Sequence, residues 1–293
     1  MNRRSFLGTM TAATLLSRRF SWAAATEHKI EKVGIQLYTV RDLLNQDFEG
    51  TLAKLAAIGY REVELSSAVR KSPQEQKDAL DRNGLAAVST HRGYEELTDK
   101  WPAVLEECKL LGTRYIVIPG VTEEISHKPD GYKIAAETFN HAGEISKQAG
   151  IQLCFHNHWA EFVPDAAGNK PFDTLLKYGN PQFLKIEMDL GWSAVAGIDP
   201  LKYFAKYPGR FPLVHVKDFK KLPDHNTVYS GHFDGDETIA DMTAVGSGVI
   251  DWKRIFAHSQ QAGIKHYFVE HDQPKDPIEV VRDSYEYLAK LRF

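Results

Sequence analysis

The chain has 293 residues, 26% of them charged and 43% hydrophobic, with 36 Lys+Arg against 39 Asp+Glu and a formal charge of −3. This is the composition of a folded globular chain, not a disordered or fibrous one, and the length suits one large α/β barrel or two modest domains. The slightly acidic balance argues against a nucleic-acid binder, which needs a basic field to neutralise phosphates, and makes a small molecule the expected partner.

At the N-terminus, Arg3-Arg4-Ser5-Phe6-Leu7 precedes a weakly apolar run over residues 7–16, and Ala23-Ala24-Ala25 supplies small residues of the kind a signal peptidase accepts. This pattern resembles a twin-arginine export signal over 1–25, with the folded protein in 26–293 and a periplasmic or extracellular destination. Cleavage after Ala25 would remove four arginines and no acidic residue, taking the charge from −3 to −7. No later segment has the roughly 18 uninterrupted apolar residues of a membrane span. Cys108 and Cys154 read as small buried residues, since two cysteines do not make a disulfide scaffold.

From Lys32 onward, short β-rich runs alternate with longer amphipathic ones. The predicted strands are 33–40, 62–67, 86–92, 115–119, 151–158, 184–190, 213–218 and 267–271; helical patterns lie between them at 48–58, 74–82, 101–111, 132–149, 200–206, 252–262 and 277–291. Glycines 59, 84, 112, 150 and 263 end helical patterns just before strands, and Ser72-Pro73, Asp199-Pro200 and Asp276-Pro277 mark helix starts. Eight βα units in one chain of this length predict a single (β/α)8 TIM barrel. A doubly wound sheet would carry a Gly-rich phosphate loop after its first strand, and Gln36-Leu37-Tyr38-Thr39 is not one. The irregular stretches 157–171 and 220–250 follow strands, so a barrel puts both over its C-terminal face; the second reads as a lid or as a contact with another copy of the chain.

The strands turn polar at their ends. Period-two alternation puts Cys154, His156 and His158 on one face of the fifth strand, opposite Leu153 and Phe155, and turns Glu187, Asp189, His215 and Lys217 toward the axis in the next two. The last strand ends in Glu270-His271-Asp272. Carboxylates and imidazoles arriving from consecutive strands suit one divalent metal ion, Mn, Co, Zn, Fe or Mg, because buried carboxylates need a compensating charge. Gln36, Glu64 and His91 at earlier strand ends read as substrate contacts, and Trp192, just past Asp189, as a sugar-stacking platform.

Several segments together resemble the sugar phosphate isomerase/epimerase family, the xylose isomerase-like TIM barrels. They are Gly34-Ile35-Gln36-Leu37-Tyr38, Glu62-Val63-Glu64-Leu65, Ser89-Thr90-His91, Phe155-His156-Asn157-His158-Trp159-Ala160-Glu161-Phe162, Met188-Asp189-Leu190-Gly191-Trp192, Val214-His215-Val216-Lys217-Asp218, Gly246-Ser247-Gly248-Val249-Ile250-Asp251-Trp252 and Phe268-Val269-Glu270-His271-Asp272. The resemblance implies a metal held by Glu, Asp, His and Glu from strands five to eight, of which Asp189, His215 and Glu270 carry over. Where the family has a strand-five glutamate this chain has His156, so Glu161 is expected to fold back as the fourth ligand, with His158 competing and His156, His158 and Lys217 as catalytic groups. The His-Asn-His variant is similar to the inosose-dehydratase and keto-sugar lyase side of the family, which implies proton abstraction next to a carbonyl of an unphosphorylated sugar, keto-sugar or polyol, by isomerisation, epimerisation, elimination or hydration. Two other readings of the same barrel are an AP-endonuclease-like phosphodiesterase, opposed by the acidic charge, and a non-catalytic sugar-binding protein.

Overall fold

The computed structural model describes residues 27–165, 167–230, 233 and 235–293. The expected export signal lies outside them. Eight parallel strands close a barrel: β1 (Val33–Gln36), β2 (Glu62–Leu65), β3 (Ala86–His91), β4 (Tyr115–Ile118), β5 (Gln152–His156), β6 (Leu184–Asp189), β7 (Leu213–Val216) and β10 (His266–Val269), with β10 pairing back onto β1. A two-stranded antiparallel pair, β8 (Asp218–Phe219) and β9 (Met242–Thr243), stands beside the barrel mouth. The TIM barrel expected from the sequence is the fold observed.

The alternation of side chains decides what each strand buries. Ile35, Val63, Ile116, Leu153, Phe155, Ile186, Val214 and Val269 point outward into the large core shared with the helices. Val88, Tyr115, Val117, Cys154, Leu213 and Phe268 form a separate small core on the axis. Gly34 belongs to that inner set, because a Cβ there would collide with the Phe268 ring. The helix starts behave as predicted: Ser72 caps Glu75 N–H in a reciprocal capping box, Asp199 caps Leu201 N–H and Asp276 caps Glu279 N–H.

The strands end earlier than expected, and at three of them the reason bears on the barrel mouth. The first strand stops at Gln36, not at residue 40, because the Gln36 side chain accepts the Tyr38 N–H (3.0 Å) and turns Leu37–Val40 into a 3-10 helix. The fifth ends at His156, before the loop that carries His158. The seventh ends at Val216, and Asp218 begins β8 instead. The Asp218 carboxylate accepts Phe219 N–H (2.9 Å), Gly246 N–H (2.9 Å), Gly248 N–H (3.3 Å), Ile250 N–H (3.3 Å) and Trp252 Nε1–H (2.9 Å), which ties the 246–252 loop to the barrel mouth. At the opposite end of the molecule His28 and Phe293 exchange backbone hydrogen bonds of 2.8 and 3.0 Å, joining the first described residues to the last. Among the described residues no helix is long and apolar enough to cross a membrane.

Candidate metal centre

The barrel axis is layered. At its N-terminal end Glu62 and His266 pair at 2.7 Å; above them sits the apolar plug, and above the plug a polar layer opens toward the C-terminal mouth. The plug closes the polar layer to water from below, so its charges interact through a poorly screened medium.

His215, fully buried on β7, is the hub of that layer. Its Nδ1 lies 2.6 Å from Glu270 Oε2 and 3.9 Å from Asp189 Oδ2; its Nε2 lies 2.6 Å from Glu64 Oε1 and 3.2 Å from Glu187 Oε2. His156 repeats the arrangement from β5, with Nε2 3.8 Å from Asp189 Oδ2 and Nδ1 3.1 Å from Glu187 Oε2. Each imidazole thus turns one nitrogen toward Asp189 and the other toward a deeper carboxylate. His91 bridges those deeper groups, at 2.9 Å from Glu64 and 3.1 Å from Glu187, and stacks on His215 with ring centres 5.5 Å apart. Glu64 is held further by Gln36 Nε2 (2.8 Å) and by the Ser89 hydroxyl, which a register shift in β2 brings opposite it.

Lys217 Nζ lies 3.1 Å from Asp189, 3.0 Å from Glu270 and 2.8 Å from Asp272. Three carboxylates thus share one ammonium, while Glu64 and Glu187 lie against imidazoles instead, and the imidazoles respond. Burial works to lower the pKa of His91, but Glu64 and Glu187 outweigh it and hold it up at about 9. Burial, reinforced by Lys217, lowers His158 to about 3. Asp189 is raised to about 6 by burial, against the pull of Lys217. Glu270 goes the other way, because Lys217 and His215 overcome its burial and keep it ionised.

The residues fit a divalent ion. Asp189, His215 and Glu270 offer ligand atoms within 4.8 Å of one another, as do His91, His156, Glu187 and His215. Two carboxylate oxygens, Glu187 Oε1 and Asp189 Oδ2, are buried without a hydrogen bond; the Lys217 ammonium near Asp189 Oδ2 is not in bonding geometry. The donor set mixes imidazole nitrogen with carboxylate oxygen, and His156 and His215 each keep a second nitrogen near a deeper carboxylate, Glu187 and Glu64, the arrangement that orients metal-bound imidazoles.

The structure brings Asp189, His215, Glu270, His156, Lys217 and His91 together. Glu161 stands apart: it lies in the 3-10 turn Ala160–Phe162, accepts the His158 N–H (2.8 Å) and the Tyr132 hydroxyl (3.3 Å), and belongs to neither ligand group. Gln36 and Glu64, expected against substrate, are fully buried beneath His215 and spend their polar atoms on each other and on their neighbours. Trp192 is 3% exposed, packs with Val195, Phe219 and Met242, and has Lys217 Nζ 5.4 Å from its ring centre. Glu187 and Asp272 complete the cluster. Strand parity turns Glu187 inward, and Asp272 falls one alternation beyond Glu270, but the sequence pattern assigns neither a role.

Above the cluster opens a cleft of about 460 Å³ lined by His91, His156, His158, Trp192, Lys217 and Glu270, with Tyr38, Ser66, Ser67, Pro119, Asp236, Ile239, Asp272 and Gln273 around its rim. A larger groove of about 650 Å³ lies between residues 126–133 and 165–178 and contains none of the clustered groups.

Residues 52–291 match the xylose isomerase-like TIM barrel family model. The chain belongs to that family. Among its relatives is an inosose dehydratase of Lacticaseibacillus casei, 24% identical over 271 residues that cover 84% of this chain and 87% of the relative. A solved structure of a sugar phosphate isomerase/epimerase from Parabacteroides distasonis superposes on this xylose isomerase-like barrel with a TM-score of 0.72 at 26% identity, covering 90% of this chain and 95% of that one. A solved IolI protein with a bound zinc atom shares the fold at a TM-score of 0.67 and 16% identity, covering 87% of this chain and 95% of that one.

Proposed function

We propose that the chain is a divalent-metal-dependent enzyme that removes a proton next to the carbonyl of an unphosphorylated keto-sugar or related polyol ketone, and then eliminates or repositions a neighbouring group. The carrying observation is the paired orientation of His156 and His215, each with one nitrogen toward the unbonded Asp189 Oδ2 and the other on a buried carboxylate. The inosose dehydratase relatives, the isomerase/epimerase structure and the zinc in the IolI protein support this reading.

Asp189, His215 and Glu270 would hold the ion, with His156 in the place of the missing strand-five glutamate. The ion would supply Lewis acidity to carbonyl and hydroxyl oxygens of the substrate. Lys217, fixed by three carboxylates and facing the cleft, donates to the oxygen on which negative charge develops. His158 stays neutral and accepts the C–H proton. His91 keeps its proton and delivers it to the departing hydroxyl, so that in a dehydration the carbon's electron pair becomes the new double bond and water leaves. Two cleft imidazoles with pKa values pushed apart are suited to these opposite roles. Asp236, Glu270 and Asp272 line the cleft and Lys217 is already paired, which disfavours a phosphate. The paired arginines at 3–4 and the alanines at 23–25 support export by the twin-arginine route to the periplasm or beyond.

Proton NMR of a keto-sugar panel in D₂O tests the chemistry. Deuterium uptake next to the carbonyl is expected with the Mn²⁺- or Co²⁺-loaded enzyme, lost on chelation and lost with the bound ion in Asp189→Ala. Uptake that survives chelation overturns the reading.

A further inference from the structure

The cleft is longer than its reactive end. His156 and His158 stand at and just beyond the end of β5, whereas Tyr38 lines the same cleft beyond the end of β1, the strand opposite β5 in the ring of eight, with Ser66 and Ser67 beside it beyond β2. Tyr38 is 38% exposed, one of the few large aromatic rings of the described residues open to solvent. It is also held rigidly. Gln36 Oε1 accepts its backbone N–H at 3.0 Å, and the Arg41 guanidinium lies 3.9 Å from its ring centre. Arg41 is itself immobilised, donating to the carbonyls of Tyr38 (2.8 Å) and Asp272 (2.9 Å). One ring face is therefore covered by a fixed cation, and the opposite face is left to the cleft.

A rigid exposed aromatic on a polar rim is a stacking surface, since it loses little side-chain freedom on covering an apolar ring face. Arg41 is engaged with two carbonyls and the ring, so this end of the cleft is not an anion clamp. We propose that Tyr38 is the platform of a second-ring subsite, and that the substrate is a glycoside of two linked rings with the reacting sugar over His156 and His158 and its partner ring on Tyr38. This rests on the keto-sugar reading above and specifies its substrate class. Asp272 links the two ends: its carbonyl anchors Arg41 and its carboxylate anchors Lys217.

Equilibrium binding to the metal-loaded protein tests the platform without turnover, using cellobiose, trehalose and 4-nitrophenyl β-D-glucoside as two-ring probes and methyl β-D-glucoside as the one-ring probe. At least one two-ring probe is expected to bind about tenfold more tightly than the one-ring probe, the scale of one aromatic stacking contact. Tyr38→Ala should abolish that preference and Tyr38→Phe keep it, with metal content and folding unchanged in both. A wild-type protein without the preference, whether it binds both classes alike or neither, overturns the proposal, as does a Tyr38→Ala variant that weakens both classes equally. Metal-dependent deuterium uptake on free keto-sugars would then leave the parent reading standing; a ring preference without any uptake would remove the chemistry and keep the platform.

Discussion

Glu161 shows how one side chain changes role when its neighbours are known. From sequence it is the expected fourth ligand, five residues beyond His156; in the fold it clasps the loop that carries His158. Glu161→Ala should therefore keep one bound ion per chain by elemental analysis while kcat falls about tenfold or more through misplacement of His158, and loss of the ion would instead make Glu161 a ligand. Its titration gives a second expectation. Burial raises the Glu161 pKa, so the folded chain binds this proton more tightly than the unfolded one. The stability it contributes is complete below the ordinary glutamate pKa and is lost as pH rises through the raised value. Glu161→Gln does not titrate, so its melting temperature should gain on wild type as pH rises above the ordinary glutamate pKa; a constant gap would show that the carboxylate feels no such cost.

At the scale of elements, the β7–β8 junction is a hydrogen-bonding node. Asp218 alone satisfies four backbone N–H groups and the Trp252 indole, and a Cβ at Gly248 would collide with it. Asp218→Ala leaves five donors without the carboxylate, two of them in buried bonds, and should destabilise the fold by roughly 3 kcal/mol in urea unfolding; a change under about 1 kcal/mol would mean that water replaces the carboxylate. This junction also marks the limit of what the sequence discloses. The faces of β6 and β7 follow from strict alternation and Glu270 from its place at the end of the last strand, whereas singling out Asp189, His215 and Glu270 among the inward polar residues takes the family resemblance. Where a strand stops is set by a side chain reaching outside it, as Gln36 does to Tyr38 and Asp218 to residues 246–252, and no local period encodes that. The Glu161 clasp depends on Tyr132, on a helix 29 residues upstream, and is equally invisible to local pattern.

For the whole molecule, five buried or half-buried carboxylates crowd one end of the barrel axis, three of them on Lys217, and the barrel folds against their mutual repulsion. A divalent ion bound only by the folded state adds stability by mass action, about 2.7 kcal/mol at a hundredfold excess over Kd. Calorimetry should show the melting temperature rising by several degrees with Mn²⁺ and falling with chelator, and Asp189→Ala should be insensitive to both; equal responses in the two proteins would place the ion elsewhere. The pairing of His28 with Phe293 bears on engineering. Because the first described residues and the last already lie side by side, a short linker between them adds little strain, and the barrel can be reopened in a surface connection such as residues 127–130 to give a circular permutant with the same strand order around the ring.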